Sequence, residues 1–183
     1  YTRDILVVSG LLDNEKVTIF MNHWPSRRGG EAASLPKRNA AAQLLKKQMD
    51  SVRSADPTVK LFAMGDFNDD PVSSSLKNHL KAQANPKDLS DTNPYLNLMY
   101  PLYKKGVASL AYQDAPNLFD QIIVSQNLTS KEVTKEYSIY KTEVFAPPYL
   151  VNKEGNYRGY PFRSWNGDQF TGGYSDHFPA FVV

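Results

Sequence analysis

Between Leu61 and Met64 four apolar residues run without a break into Gly65-Asp66-Phe67-Asn68. A short apolar run of this kind, closed by a glycine, reads as a buried strand that delivers polar side chains at its end. Asp66 and Asn68 are two residues apart, so in an extended chain both point to the same face. A carboxylate and a carboxamide held side by side at a strand terminus suit an Mg²⁺-assisted hydrolytic site, where a water is positioned and phosphate charge is neutralised. The same residues also make a plain Asp/Asn turn after a strand. The rest of the chain has to decide between the two readings.

Other segments fall into place around that strand. Ile5 to Val8 and Val17 to Met21 flank an Asp13-Asn14 turn and predict a β-hairpin. A polar loop, 22–30, follows. With Ser34 as N-cap and Pro36 in the first turn, Ala41, Leu44, Leu45, Met49 and Val52 form one apolar stripe of a helix. Asp70-Pro71 predicts the start of a second, shorter helix, in which Val72, Leu76 and Leu80 recur every four residues. Residues 84–106 read as an irregular surface excursion. Strands are expected at 110–112, 118–124, 138–145 and 178–183. Many strands with two helices between them argue an α/β (α+β) layered fold.

With 183 residues, the chain suffices for one domain and one core. It has no cysteine, which excludes disulfides, thiolate metal sites and a cysteine nucleophile. No run of 18 apolar residues is present, so no segment reads as a membrane span. A net charge of +2 is too mild to mark a nucleic-acid binder by itself.

Three further strand ends carry residues fit for chemistry. Asn22-His23 follows the second strand, and Ser175-Asp176-His177 precedes the last. Asp120 interrupts the apolar residues of 118–124, an expensive place for a carboxylate without a partner. Of the three histidines, His23 and His177 stand at such junctions, each equally readable as an ordinary loop histidine, while His79 reads as a surface residue of the short helix.

Taken in order, Asn22-His23-Trp24-Pro25-Ser26, Gly65-Asp66-Phe67-Asn68, Phe119-Asp120-Gln121-Ile122-Ile123-Val124-Ser125 and Ser175-Asp176-His177 resemble the endonuclease/exonuclease/phosphatase superfamily. This superfamily includes deoxyribonucleases, abasic-site endonucleases, sphingomyelinases, inositol-polyphosphate phosphatases and deadenylases. The resemblance runs from Arg3 to Val183, and the strings 22–30 and 172–179 look most like bacterial, often exported, members. It implies part of a four-layer α/β/β/α sandwich, with a mixed, largely antiparallel sheet and flanking helices. It also implies a divalent-metal phosphodiester hydrolase, foremost a nuclease acting on DNA or RNA with Mg²⁺ (or Mn²⁺ or Ca²⁺), and an extracellular or periplasmic location. By the same resemblance, Asp66 orients or deprotonates the attacking water and Asn68 contacts the scissile phosphate. His177 bonds the phosphate, Asp120 holds His177 in its working tautomer, and His23 works on the leaving-group side. Asp176 ligates or approaches the ion, with Asn22, Arg27 and Arg28 as phosphate contacts; the two arginines read equally well as solvated loop residues.

Two family motifs have no counterpart: a strand ending in asparagine, then one ending in the glutamate that is the main Mg²⁺ ligand. None of Glu15, Glu31, Glu132, Glu136, Glu143 and Glu154 follows an apolar strand in that manner. The expectation is therefore that residues 1–183 are the C-terminal part of a larger domain whose N-terminal part is absent. The inner sheet face would then be apolar and uncovered, the missing half would be a partner, and this chain alone would be weakly active or inactive. Tyr157, Tyr160, Phe162, Trp165, Phe170 and Tyr174 are expected to flank the cleft, either stacking on bases or plugging a loop onto the core. Two further readings stay open: a phosphatase or phospholipase of the same fold, which the modest charge favours, and a non-catalytic binding module, which the retained polar residues oppose.

Overall fold

Asp13 and Asn14 both adopt positive φ (45° and 70°), the two-residue turn that matches the twist of a hairpin. This turn joins β1 (Leu6–Leu12) to β2 (Glu15–His23) in antiparallel register. The computed structural model describes residues 3–130 and 136–183; Glu132 lies outside them. Helix α1 (Glu31–Ala55) carries the chain over one sheet face, so that β3 (Lys60–Asp66) pairs with β2 in parallel. Beyond β3 come β4 (Tyr95–Asn97), helix α2 (Tyr100–Lys104) and a hairpin of β5 (Leu110–Tyr112) and β6 (Ala115–Asn117). Strand β7 (Asp120–Ser125) then returns antiparallel between β3 and β4, completing a five-stranded sheet ordered β1-β2-β3-β7-β4. The remaining strands are β8 (Thr142–Val144), the short hairpin β9 (Trp165–Asn166) and β10 (Gln169–Phe170), and β11 (Ala180–Val182), which pairs with β8.

The two sheet faces have different covers. Phe20, Leu61, Ala63 and Ile123 face α1 and pack with Ala41, Ala42, Leu45, Met49, Leu76 and Leu80. Fully buried aliphatic and aromatic side chains of this kind each contribute about 1.5–3 kcal/mol. On the other face, Ile122, Val124 and Leu96 meet Met99 of the α2 turn and Val144, Ala180 and Val182 of the β8–β11 pair. That cover stops short of β1 and the adjacent edge of β2, so Leu6, Val8 and Met21 are exposed on this face.

Several expectations need correction. Helix α1 starts at Glu31, because positive φ at Gly29 and Gly30 ends the loop there. Ser34 is not a cap: its hydroxyl donates back to the Gly30 carbonyl at 2.8 Å. Leu44 lies outside the buried stripe, whereas Arg38 lies on it, completely buried. Asp70 does not cap a helix by its side chain, which accepts the Leu118 amide at 2.7 Å; the turn at Ser75–His79 is a π-helix. Within 84–106, residues Tyr95–Asn97 are fully buried and form the edge strand beside β7. Over so short a segment no alternation marks the strand, and pairing with β7 overrides the turn propensity of the surrounding Asn and Pro residues.

Candidate active site

Strand pairing alone assembles the centre of the site. His23 lies opposite Asp66 in the parallel β2–β3 ladder, and Asp66 lies opposite Asp120 in the antiparallel β3–β7 ladder. Residues directly opposite share a face, so His23, Asp66 and Asp120 form one row across three strands. Because the last residues of two parallel strands meet the first residue of an antiparallel one, the row stands at a single sheet end. Gly65 makes this approach possible. Its φ of 129° is open to glycine, and a Cβ there would collide with the Asn22 main-chain oxygen.

Each member of the row has defined partners. The Asp66 carboxylate accepts the Asn68 amide at 2.8 Å through one oxygen and the Asn68 side-chain Nδ2 at 3.2 Å through the other. His23 Nε2 lies 3.5 Å from Asp66 Oδ2 and remains half-exposed. Asn68 sits at φ 50°, a left-handed conformation that asparagine tolerates, and its Nδ2 also donates to the Trp24 carbonyl at 3.0 Å. The turn thus keeps the carboxamide beside the carboxylate, as Asx-type geometry does, and gives it a second anchor in the loop.

His177 joins the row from the far end of the chain. Its Nδ1 lies 2.7 Å from Asp120 Oδ2. Ser109, fully buried, brings the two segments together: its carbonyl accepts the Phe178 amide at 2.7 Å, and its hydroxyl accepts the Asp120 amide at 3.4 Å. Donation from Nδ1 to Asp120 leaves Nε2 as the ring nitrogen available for a substrate.

Electrostatics separate the two roles in the row. Burial pushes the Asp66 carboxyl above its ordinary value of 3.8; the Asn68 amide and the two histidines oppose the rise without cancelling it. Burial also pushes the His177 imidazolium down, but the Asp120 hydrogen bond and the charges of Asp120, Asp66 and Asp176 outweigh it, leaving His177 above its ordinary 6.5. A carboxyl raised by burial and an imidazole raised, against burial, by its carboxylate neighbours, side by side, are the pattern of a proton-transfer site.

The other expected residues occupy distinct positions. Asn22 is buried, and its side chain donates to the Phe20 carbonyl and accepts Trp24 Nε1, so it holds Trp24 in place. Arg27 stacks on Phe119 at 4.5 Å and spreads its guanidinium over the Asn68 carbonyl, Glu31, Asp69 and Asp70. Arg28 is exposed and engages no hydrogen bond or ion pair among the described residues. Asp176 is exposed, next to the row. Among the described residues, no three His, Asp or Glu side chains converge on a point that could hold a metal ion. Asp66 and Asp120 spend oxygens on Asn68 and His177, so the residues present do not by themselves fit a complete Mg²⁺ site.

Sequence reasoning missed the support beneath this row. Asp69, completely buried, forms an ion pair with Arg38 at 2.8 Å and accepts hydrogen bonds from Arg27 at 3.2 Å and the Ser75 hydroxyl at 2.5 Å. Gln121 donates to the Asp69 carbonyl, and Ser109 clamps Asp120 to Phe178. No periodicity announces such residues; only the crowding of Asp69 against Asp66 and Asn68 hinted that polar atoms were needed there. The expected aromatic flank does not plug the core. Trp165 pairs with Phe170 at 5.3 Å and Tyr157 with Tyr160 at 5.6 Å, all but Tyr160 being well exposed.

A family model described as "Endonuclease/Exonuclease/phosphatase family" matches residues 1–183. Among solved structures, a humanized D. rerio TDP2 with 14 mutations superposes with a TM-score of 0.59 at 13% identity, covering 97% of this chain and 58% of that one. D. rerio TDP2 complexed with a single-strand DNA product gives 0.56 at 12% identity, covering 97% and 60%. SmcL gives 0.56 at 15% identity, covering 97% and 57%. Likeness at such identities is likeness of fold. The chain spans somewhat over half the length of these structures. No curated protein matches it.

Proposed function

Because the chain belongs to the endonuclease/exonuclease/phosphatase family, we propose that it carries out phosphodiester hydrolysis by attack of water on phosphorus, with a nucleic acid as substrate. The observation that carries this reading is the row His23–Asp66–Asp120, closed by His177 at 2.7 Å from Asp120. In it, Asp66 accepts a proton from the attacking water, a task its raised pKa suits. Asn68 spends both Nδ2 hydrogens on Asp66 and the Trp24 carbonyl and so orients the Asp66 carboxylate; contact with the scissile phosphate requires it to release one of the two. His177, whose Nδ1 is held by Asp120, places Nε2–H against the charge that builds on the phosphoryl oxygens. His23 stands on the opposite side of Asp66, where it can donate a proton to the departing alkoxide. The bond broken is P–O to the leaving group and the bond formed is P–O from water, with the water's proton on Asp66.

Mg²⁺, Mn²⁺ or Ca²⁺ belongs to this proposal as a cofactor that would neutralise phosphate charge; Asp176 is the exposed carboxylate nearest the row in sequence. Since the described carboxylates do not converge on one point, activity of this chain by itself is expected to be low. An exported bacterial origin likewise stays a proposal that rests on resemblance.

The test is hydrolysis of plasmid DNA and of bis-p-nitrophenyl phosphate at high protein concentration across a titration of Mg²⁺ and Mn²⁺. Cation-dependent turnover that Asp66→Ala and His177→Ala each reduce by at least ~100-fold supports the reading. Turnover that survives both substitutions overturns it. Hydrolysis of a phospholipid in place of DNA, without salt-dependent DNA binding, would establish the lipid-phosphate reading that the modest charge leaves open.

A further inference from the structure

A cleft of about 720 Å³ opens beside Asn68, between the loop Ser26–Gly30 and the β5–β6 hairpin. Its size falls in the range of small-ligand sites, ~300–1,000 Å³. Leu110, Tyr112 and Phe119 supply apolar and aromatic wall; Arg28 stands at the opposite side. Asn68 lines this cleft and is hydrogen-bonded to Asp66 of the row, so the cleft adjoins the reacting groups.

Three observations say what this space is shaped for. Tyr112 is 66% exposed and its ring lies against no other aromatic ring among the described residues, which leaves a flat face open beside the cleft. Arg28 has no hydrogen bond or ion pair among the described residues, whereas the neighbouring Arg27 is fully engaged. The hairpin that presents Tyr112 is held rigid: Gln113 and Asp114 take positive φ of 49° and 61°, and Tyr160 Oη both donates to the Asp114 carboxylate (2.6 Å) and accepts its amide (2.7 Å). An open aromatic face, a free guanidinium and a preorganised wall next to a phosphate site match a planar base with its own backbone phosphate.

We propose that this cleft seats the nucleobase next to the scissile phosphate, with Tyr112 stacking on the base and Arg28 contacting the flanking phosphate. The proposal rests on the phosphodiesterase reading and adds to it the class of group the enzyme grips. Every base has a π-face, so the seat favours nucleic acid over other phosphodiesters without choosing a sequence. Tyr160 is a positioning residue for it, through the hairpin.

Calorimetric titration in EDTA separates binding from turnover. The probes are the tetranucleotide dT4 and a tetramer of the same backbone with tetrahydrofuran in place of every base. The wild-type chain is expected to bind dT4 at least about fivefold more tightly than the base-free tetramer. Tyr112→Ala should erase that difference, Tyr112→Phe should keep it, and Arg28→Met should weaken both probes alike. Equal binding of the two probes by the wild-type chain, or an unchanged difference in Tyr112→Ala, overturns the proposal; unchanged far-UV circular dichroism excludes unfolding as the cause of any loss. Base-independent binding alongside hydrolysis that needs Asp66 would sink the base seat alone. Base-dependent binding alongside hydrolysis that survives both Asp66→Ala and His177→Ala would sink the phosphodiesterase reading of the row and leave the seat standing.

Discussion

Gly65→Ala is the sharpest perturbation the structure offers, because it adds one methyl group where backbone from the next strand already lies. A Cβ at this position would overlap the Asn22 carbonyl oxygen and stand 3.0 Å from its carbon, and neither atom can swing aside as a side chain would. Two costs follow. At φ 129° alanine occupies a region that only glycine visits readily, worth about 1–3 kcal/mol. Relief of the overlap requires the ends of β2 and β3 to part, which breaks hydrogen bonds such as Trp24 N–H to the Asp66 carbonyl (2.9 Å); two lost bonds amount to about 1–3 kcal/mol more. Together they predict a loss of about 2–6 kcal/mol, on the order of 10 °C in Tm for a chain of this length. Urea unfolding at unchanged m-value measures the global cost. If the strands instead part locally, the Trp24 amide exchanges faster with deuterium while Tm holds. In both cases the spacing of His23 from Asp66 changes and hydrolysis fails. A substitution costing under about 1 kcal/mol with unchanged Trp24 exchange would refute the argument.

The other predictions concern charge. Asp69→Asn leaves the completely buried Arg38 without its partner and should destabilise the chain by about 3–5 kcal/mol, whereas pairing Asp69→Leu with Arg38→Met should recover much of the loss; urea midpoints of the three variants decide it. Asp66 must be deprotonated to take the water's proton, so its raised pKa moves the acid limb of the pH–rate profile above the ordinary 3.8. The His177 ring should titrate above the ordinary 6.5 in an NMR titration, and Asp120→Asn, which removes the partner that raises it, should move that titration to lower pH. The linked stability has the matching sign: the gain from the His177–Asp120 contact is full below the unfolded pKa and fades as pH rises through the folded one. An Asp120→Asn variant whose His177 titrates unchanged would sink the pairing.

How far the sequence was legible depended on the range of the cause. Leu61 to Met64, Val17 to Met21 and the Asp13-Asn14 turn declare strands and a hairpin through local chemistry, and those elements stand where the pattern put them. Tyr95–Asn97 escaped because a three-residue edge strand is decided by its partner β7, not by its own pattern. Ser34 and Asp70 looked like caps, since both residue types favour that role, but each had a stronger offer: the Gly30 carbonyl for one, the Leu118 amide and Arg27 for the other.

By itself, then, the sequence determined the elements with strong local periodicity and the residue types that reach the strand ends: His23, Asp66, Asn68, Asp120 and His177. Their resemblance to a known family could be seen from these motifs in order. Only tertiary structure decided that three of them make one row, because cross-strand register joins residues 43 and 54 positions apart. It alone decided that Arg27 is bound inward and Arg28 is free, that Asp69 is a buried anchor, and that a rigid hairpin with Tyr112 faces Asn68. Adjacent residues such as Arg27 and Arg28 have the same intrinsic chemistry. What separates them is which one the fold brings within reach of Asp69 and the Phe119 ring.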